Sequence, residues 1–162
     1  MSILEKASYK TRWAIRKFAD DAAFARDELM EPETVIDGNM LLTAGITELW
    51  NLFAGISGTA FSNANARIGV GDSSAAESAG QTDLQASTNK LFKAMSASYP
   101  QVSGASITFR AAFTGAEANY AWNEFAVDNG SGPAKRLNRK VSAQGTKASG
   151  QTWTVDLTVT LS

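Results

Sequence analysis

The chain has 162 residues and nearly balanced charge, with 15 basic and 16 acidic side chains and a formal net charge of −1. It contains neither cysteine nor histidine, which excludes disulfides, thiolate zinc sites, histidine metal ligands and a Ser-His-Asp triad. The length predicts one domain with a sizeable core, and the small net charge predicts no long-range attraction to nucleic acid.

The N-terminal sequence carries charges throughout and lacks the uninterrupted apolar segment of a secretory signal. The least charged stretch, residues 49–66, is interrupted by Gly, Ser, Thr and Asn and is too polar for a membrane span. We therefore expect neither a secretory leader nor a membrane partner.

The first strand signal lies in residues 8–18. Apolar and polar side chains alternate there, with Trp13 and Ile15 on one side, as in a half-exposed strand. The pattern predicts an edge strand or an extended arm.

Residues 19–38 mix acidic and apolar side chains around Pro32, which predicts a surface connection with at most a short helix before the proline. We interpret residues 1–38 together as an N-terminal arm that packs on its own domain or on a neighbour. Its candidate inter-subunit contacts are Trp13, Phe18, Phe24, Leu29 and Ile36.

The clearest helix signal lies in residues 39–54, where apolar side chains recur at the three- and four-residue spacing of one helix face. Asn39 is a predicted N-cap and Gly55 a predicted C-terminal stop. Gly45 lowers helix propensity by about 1 kcal/mol, and close backbone approach to a sheet would explain its presence. We therefore expect the helix to bury its apolar face against a sheet. That face consists of Leu41, Leu42, Ile46, Leu49, Trp50 and Phe53.

After the helix, the apolar period changes to the two-residue repeat of β-strands, most clearly in residues 106–113, 119–127 and 152–162. Short strands separated by turns rich in Gly, Ser, Asn and Asp predict a mainly β domain over residues 39–162. We expect an antiparallel, jelly-roll-like β-sandwich with one embedded amphipathic helix. The sequence has no heptad or short repeat that would indicate a fibre shaft.

The stretch ARIGVGDSSAAESAGQTDL, residues 66–84, raises the question of a phosphate or metal site. A dinucleotide fingerprint needs a third glycine at the start of a helix, a P-loop needs Gly-Lys-Ser/Thr, and the acidic residues do not match a twelve-residue calcium loop. We therefore interpret Gly69 and Gly71 as permitting tight backbone geometry, and Asp72 and Asp83 as stabilising turns, with no metal or cofactor bound.

The carboxylates Glu117, Glu124 and Asp128 lie close enough in sequence to suggest the acid and base of a glycosidase. A structural ion pair between Glu124 and Arg139 is the interpretation we favour, because Glu124 shares a strand face with aromatic residues. Residues 135–140, KRLNRK, are interpreted as a solvated strand in preference to a nucleic-acid-binding strip.

Over residues 39–162 the chain resembles a family of tailed-bacteriophage virion proteins, including capsid decoration and tail-associated β-sandwich proteins. Seven segments carry the resemblance in order: NMLLTAGITELWNLF, ARIGVGDS, QTDL, ITFRAAF, ANYAWNEFAV, LNRK and GTKASGQTWTVDLTVTLS. The family shares a Gly-x-Gly strand, a loop ending in Thr-Asp-Leu, a Trp-x-Glu strand, an Asn-Arg strand and a Lys before a terminal alternating strand. The resemblance implies a β-sandwich module of assembled phage parts, without catalytic residues.

From this resemblance we expect a virion structural protein, with a capsid decoration or cement protein favoured and a tail, connector or fibre-base component as the alternative. The expected partners are copies of the chain, as a trimer or hexamer, and other virion proteins such as the major capsid protein. A carbohydrate-binding sandwich, with Trp50, Trp122 or Trp153 as stacking platforms, and a glycosidase using Glu117 and Glu124 are the alternatives from other classes.

Overall fold

The computed structural model describes residues 8–130 and 135–162. Over these residues the chain is mainly β and forms two antiparallel sheets of five strands each in a sandwich-like arrangement. The predicted fold class is thereby confirmed.

The first sheet contains both of the ten-residue strands. In spatial order it consists of β2 (Thr34–Asp37), β1 (Tyr9–Phe18), β10 (Thr152–Leu161), β7 (Ser106–Phe113) and β6 (Gln101–Ser103).

The second sheet is built from shorter strands. In spatial order it consists of β3 (Met40–Leu41), β9 (Asn138–Val141), β8 (Glu124–Asp128), β4 (Arg67–Gly71) and β5 (Lys90–Ala94). The short helix α1 (Asp21–Ala25) connects β1 to β2, and the longer helix α2 (Thr43–Ala54) connects β3 to β4.

The core lies between the two sheets and follows from the two-residue repeat of the strands. On β10, Trp153, Val155 and Leu157 are buried in the core cluster, as the sequence pattern predicts. They meet apolar side chains of the second sheet, including Ile68 and Phe125. Four aromatic rings of this core, Phe113, Trp122, Phe125 and Trp153, form a cluster through edge-on contacts.

Of the two alternatives for residues 1–38, the structure shows packing on the chain's own domain for the described part, so a β-sandwich that begins only at residue 39 is wrong. Strand β1 pairs along its whole length with β10 and, on its other side, with β2, so it lies inside the first sheet. The sequence pattern suggested an edge because β1 alternates, but β10 and β2 supply a hydrogen-bonding neighbour on each side. Residues 1–7 of the predicted arm lie outside the described residues.

The predicted helix at residues 39–54 is present but begins later. Met40 and Leu41 pair with β9 as β3, so Leu42 precedes the first helical residue and Asn39 is not the N-cap. The helix ends as predicted, because Gly55 adopts a left-handed conformation with φ 65° and its N–H bonds back to the last turn. Across residues 8–130 and 135–162, neither helix has the length and apolar character needed to cross a membrane.

Candidate functional site on helix α2

Helix α2 contacts the rest of the domain through a narrow face centred on Gly45. A Cβ atom at this position would lie 2.5 Å from the carbonyl oxygen of Arg136 and from the Cα of Leu137. The Leu42 N–H, just before the helix, donates to the Leu137 carbonyl at 3.1 Å. Gly45 therefore allows the helix backbone to lie directly on the segment that leads into β9, as expected for a glycine inside a helix.

The only ionisable side chain of the helix faces inward as well. Glu48 is buried, and its Oε1 accepts hydrogen bonds from the Thr59 backbone N–H at 2.7 Å and from Asn129 Nδ2 at 2.9 Å. These bonds tie α2 both to the chain that follows it and to the end of β8. A buried carboxylate held in this way fixes the rotational position of the helix.

The apolar face of α2 points into solvent. Trp50 is 65% exposed and Phe53 is 86% exposed, and their rings contact edge-on at a centroid distance of 6.1 Å. Ile46 and Leu49 complete the helical stripe, and Ile56, which follows the C-cap glycine, is 75% exposed beside it. We call these five residues, Ile46, Leu49, Trp50, Phe53 and Ile56, the α2 surface.

The prediction that this face packs against a sheet is therefore wrong for its four helical members, Ile46, Leu49, Trp50 and Phe53, whereas Leu42, just before the helix, is fully buried. The helix forms with the predicted apolar stripe, but Gly45 and Glu48 turn a different face toward the domain. Folded monomers seldom leave contiguous apolar patches of several hundred Å² exposed, and such patches commonly mark sites of interaction. The α2 surface is therefore the candidate functional site.

The α2 surface is uncharged, and so is the sequence around it. Glu48 is the only ionisable side chain between Asp37 and Arg67, and it is buried. From the exposed fractions, the five side chains offer on the order of 500 to 600 Å² of apolar surface. A partner for this surface must itself be largely apolar at the contact.

The candidate contacts in the N-terminal region divide into two groups. Trp13 and Phe18 are fully buried within the chain's own domain, so they are not available to a neighbouring subunit, which corrects the prediction for both. Phe24 and Leu29 remain partly exposed and Ile36 is half-buried. Phe24 also packs edge-on against Phe18 at a centroid distance of 5.1 Å, so this group is anchored to the domain.

The structure contains the predicted Glu124–Arg139 ion pair. Both side chains are fully buried, and Arg139 Nε lies 2.7 Å from Glu124 Oε2. The remaining capacity of the carboxylate is used by the backbone N–H groups of Gln85 and Ala86, at 2.9 and 2.8 Å. Protein donors thus occupy both oxygens of Glu124.

Arg139 also fixes the long loop that follows the Gly-x-Gly stretch. Its guanidinium donates to the carbonyls of Ala75 and Ala76 and to Oε1 of Gln81, at 2.9 to 3.2 Å. Gly71 lies in β4, where a Cβ would come within 2.5 Å of the Glu124 carboxylate. Gly69 lies in the same strand, where a Cβ would clash with the Phe92 ring. The two glycines thus permit the close packing that the sequence suggested, with side chains lying directly on the β4 backbone.

The other two carboxylates considered for catalysis also have structural partners. Glu117 binds Lys93 Nζ at 2.5 Å and accepts hydrogen bonds from Thr114. Partial burial opposes its ionisation, but these hydrogen bonds and the charge of Lys93 outweigh burial and lower the pKa of Glu117. Asp128 is fully buried and pairs with Arg67 at 2.8 Å. This geometry offers no support for a glycosidase.

The basic run at residues 135–140 is not the solvated strand that the sequence suggested. Arg139 is buried as described, and Arg136 binds Asp83 at 2.8 Å. Lys140 Nζ donates to the Asp37 carbonyl at 3.0 Å. Burial opposes ionisation of Asp83, but Lys90, Arg136 and the Leu84 N–H together lower its pKa. Asp83 thus balances cationic side chains in addition to shaping its turn.

Of the three tryptophans considered as sugar platforms, Trp122 and Trp153 are buried in the core. Trp50 alone of the three is exposed, because it belongs to the α2 surface. Among the residues that the structure describes, no group of three or more acidic side chains is placed to hold a metal ion. A separate shallow apolar depression lies on the first sheet, lined in part by Val102 of β6, Ile107 of β7 and Leu161 of β10.

Comparison of the chain with protein-family models, with curated proteins and with solved structures gives no match.

Sequence reasoning missed the outward orientation of the α2 surface, although a signal for it was present. At 100° per residue, Gly45 lies about 90° and Glu48 about 150° around the helix from the centre of the stripe formed by Ile46, Leu49, Trp50 and Phe53. The glycine predicted to approach other backbone closely was thus never on the apolar face. Ile56 lies beyond the helix and does not contribute to its periodicity.

Proposed function

We propose that this chain is a non-catalytic assembly subunit, and specifically a structural protein of a tailed-bacteriophage particle. The observation that carries the assembly role is the α2 surface, an exposed and uncharged apolar stripe on a helix fixed to a sandwich core. The resemblance over residues 39–162 supports the phage assignment.

The contacts of the acidic side chains support a non-catalytic role. Glu124, Asp128 and Glu117 bind cationic side chains of the same chain, and the first two are fully buried. Catalytic carboxylates need at least one oxygen within reach of a substrate. Here these groups fix strands and loops instead.

A capsid decoration or cement protein is the favoured form of this function, with a tail, connector or fibre-base component second. Repeated copies of a small rigid sandwich suit a repeating lattice, and interaction through an apolar helix face requires no change in the sandwich. In either location the expected partners include other virion proteins, such as the major capsid protein.

The experiment is to purify particles from the native source on a density gradient and to measure the copy number of this chain by quantitative mass spectrometry. A decoration protein is expected in particle fractions at a copy number comparable with that of the major capsid protein. A tail or connector component is expected there at a few tens of copies or fewer. Recovery of the chain exclusively outside particle fractions would contradict the proposal.

A carbohydrate-binding function is the second candidate, and the exposure of Trp50 is the observation that favours it. Exposed aromatic rings stack on sugar faces, and Trp50 lies beside Phe53, which is still more exposed. A glycan array distinguishes the two: specific binding that is lost in Trp50→Ala, with an unchanged fold, supports the carbohydrate function. An array on which the chain binds no glycan would contradict the carbohydrate-binding function.

A further inference from the structure

We propose that the α2 surface binds the α2 surface of a second copy of this chain, so that the protein forms a two-fold symmetric dimer. This inference rests on the assembly role proposed above and deepens it by naming the partner of the surface. It depends on three properties of α2: its charge, its area and its spacing.

The absence of charge favours a second copy over a charged partner. A two-fold interface brings the same residues together from both sides, so any exposed charge near the axis would meet its like. The α2 surface avoids this repulsion because its five side chains are apolar and because Glu48 is turned inward, bound to Thr59 and Asn129. An identical uncharged surface is therefore a compatible partner.

The exposed area of the α2 surface also agrees with an interface between two copies of the chain. A standard protein interface buries about 800 Å² on each partner, and in homodimers about 65% of that area is apolar. The α2 surface offers on the order of 500 to 600 Å² of apolar area, which is close to that apolar share. The polar rim can come from exposed residues of the same helix, such as Thr43 and Thr47.

The spacing of the side chains is that of a helix-packing seam. Ile46, Leu49, Trp50 and Phe53 follow the i, i+3, i+4, i+7 pattern through which two helices interdigitate. Trp50 and Phe53 are aromatic, a residue class enriched at the centres of interfaces. The inward-facing hydrogen bonds of Glu48 hold the helix in place, so little ordering is needed on association.

The first test is sedimentation velocity of the full chain across a range of micromolar concentrations, with Trp50→Glu and Phe53→Glu as interface variants. Both residues are exposed, so these variants should keep the wild-type circular dichroism spectrum. The matched control is Val102→Glu, which places the same charge at an equally exposed apolar residue, 75% accessible, on β6. We expect wild type and Val102→Glu to sediment at twice the monomer mass and both α2 variants to shift to the monomer.

The second test uses the absence of cysteine in the chain, which makes a single introduced thiol a clean reporter. Leu49 lies near the middle of the stripe and hence near the symmetry axis, whichever way the two helices run. Leu49→Cys should therefore form a disulfide-linked dimer under mild oxidation, whereas Ser149→Cys, on an exposed loop, should remain mainly monomeric.

A wild-type chain that stays monomeric at every concentration would overturn the inference, and so would a dimer that persists in both α2 variants. Either result leaves the proposed function standing if the chain is still found in purified particles. The reverse result is also informative. If the chain dimerises as expected but is absent from purified particles, the inference holds and the phage assignment fails.

Discussion

Glu124 and Arg139 form a fully buried ion pair, 2.7 Å apart, that joins β8 to β9 and fixes the loop between β4 and β5. Each partner also bonds that loop, Glu124 through two backbone N–H groups and Arg139 through two carbonyls. Buried groups of the chain itself thus hold this loop. Removing one partner would leave the other charge buried without compensation.

Arg139→Met is therefore expected to lower the free energy of unfolding by about 3 to 5 kcal/mol, measured by urea denaturation. The control is Arg12→Met, because the Arg12–Glu33 pair is exposed and its loss should cost less than about 1 kcal/mol. The double variant Arg139→Met/Glu124→Gln should be less destabilised than the sum of the single variants. Equal effects of Arg139→Met and Arg12→Met would show that the buried pair is not structural.

Gly45 is expected to be essential for the position of α2. Gly45→Ala places a methyl group against the backbone of Arg136 and Leu137, and overpacking of this kind costs about 1 to 3 kcal/mol despite the better helix propensity of alanine. Gly80→Ala is the matched control, because a Cβ there meets no atom within 4 Å. Thermal unfolding monitored by circular dichroism compares the two. If Gly45→Ala is as stable as Gly80→Ala, then α2 does not lie directly on the backbone of Arg136 and Leu137.

Glu117 is expected to contribute stability that depends on pH. Its pKa is lowered from 4.5 in the folded protein, so the folded state binds its proton less tightly than the unfolded chain does. The stabilisation is complete above about pH 4.5 and is lost as the pH falls through the lowered pKa. The difference in unfolding free energy between wild type and Glu117→Gln should therefore shrink on acidification. Glu33→Gln, at an exposed site, controls for general charge effects, and a difference that grows on acidification would contradict the assignment.

Residues 1–38 are expected to be required for folding, because they contain both β1 and β2. Their deletion removes one of the two strand partners of β10, with β7 remaining, and should leave a chain without cooperative unfolding or dispersed amide resonances. As a milder test, Trp13→Ala should cost about 3 to 5 kcal/mol, whereas Val35→Ala, at a largely exposed position on β2, should cost much less. A folded truncation product would restore the idea of a separate arm.

The sequence predicts the class of fold well because the local pattern and the burial agree in most strands. Trp153, Val155 and Leu157 alternate in sequence and line the core in the structure. The position of β1 could not be predicted in the same way, because pairing between Trp13 and Leu157 joins residues from the two ends of the chain. Alternation identifies a strand but does not identify its neighbours.

The site was harder to predict than the fold for a related reason. The apolar periodicity of α2 gives the helix and its stripe but does not say which side faces the domain. That choice depends on the contact of Gly45 with the Leu137 backbone and on the acceptance of two hydrogen bonds by Glu48. The positions of Gly45 and Glu48 off the apolar stripe indicate this orientation, but their partners Leu137 and Asn129 lie more than 80 residues away and cannot be identified from the helix sequence.

The accessibility of Trp50 and Phe53 before and after assembly tests the central claim most directly. Hydroxyl-radical footprinting of the dilute free chain and of purified particles, read by mass spectrometry, measures the oxidation of each aromatic residue. We predict strong oxidation of Trp50 and Phe53 in the dilute chain and protection of both in particles, with the buried Trp122 protected in both states. Equal oxidation of Trp50 and Phe53 in the two states would contradict the account, since the α2 surface would then remain uncovered in the assembled particle.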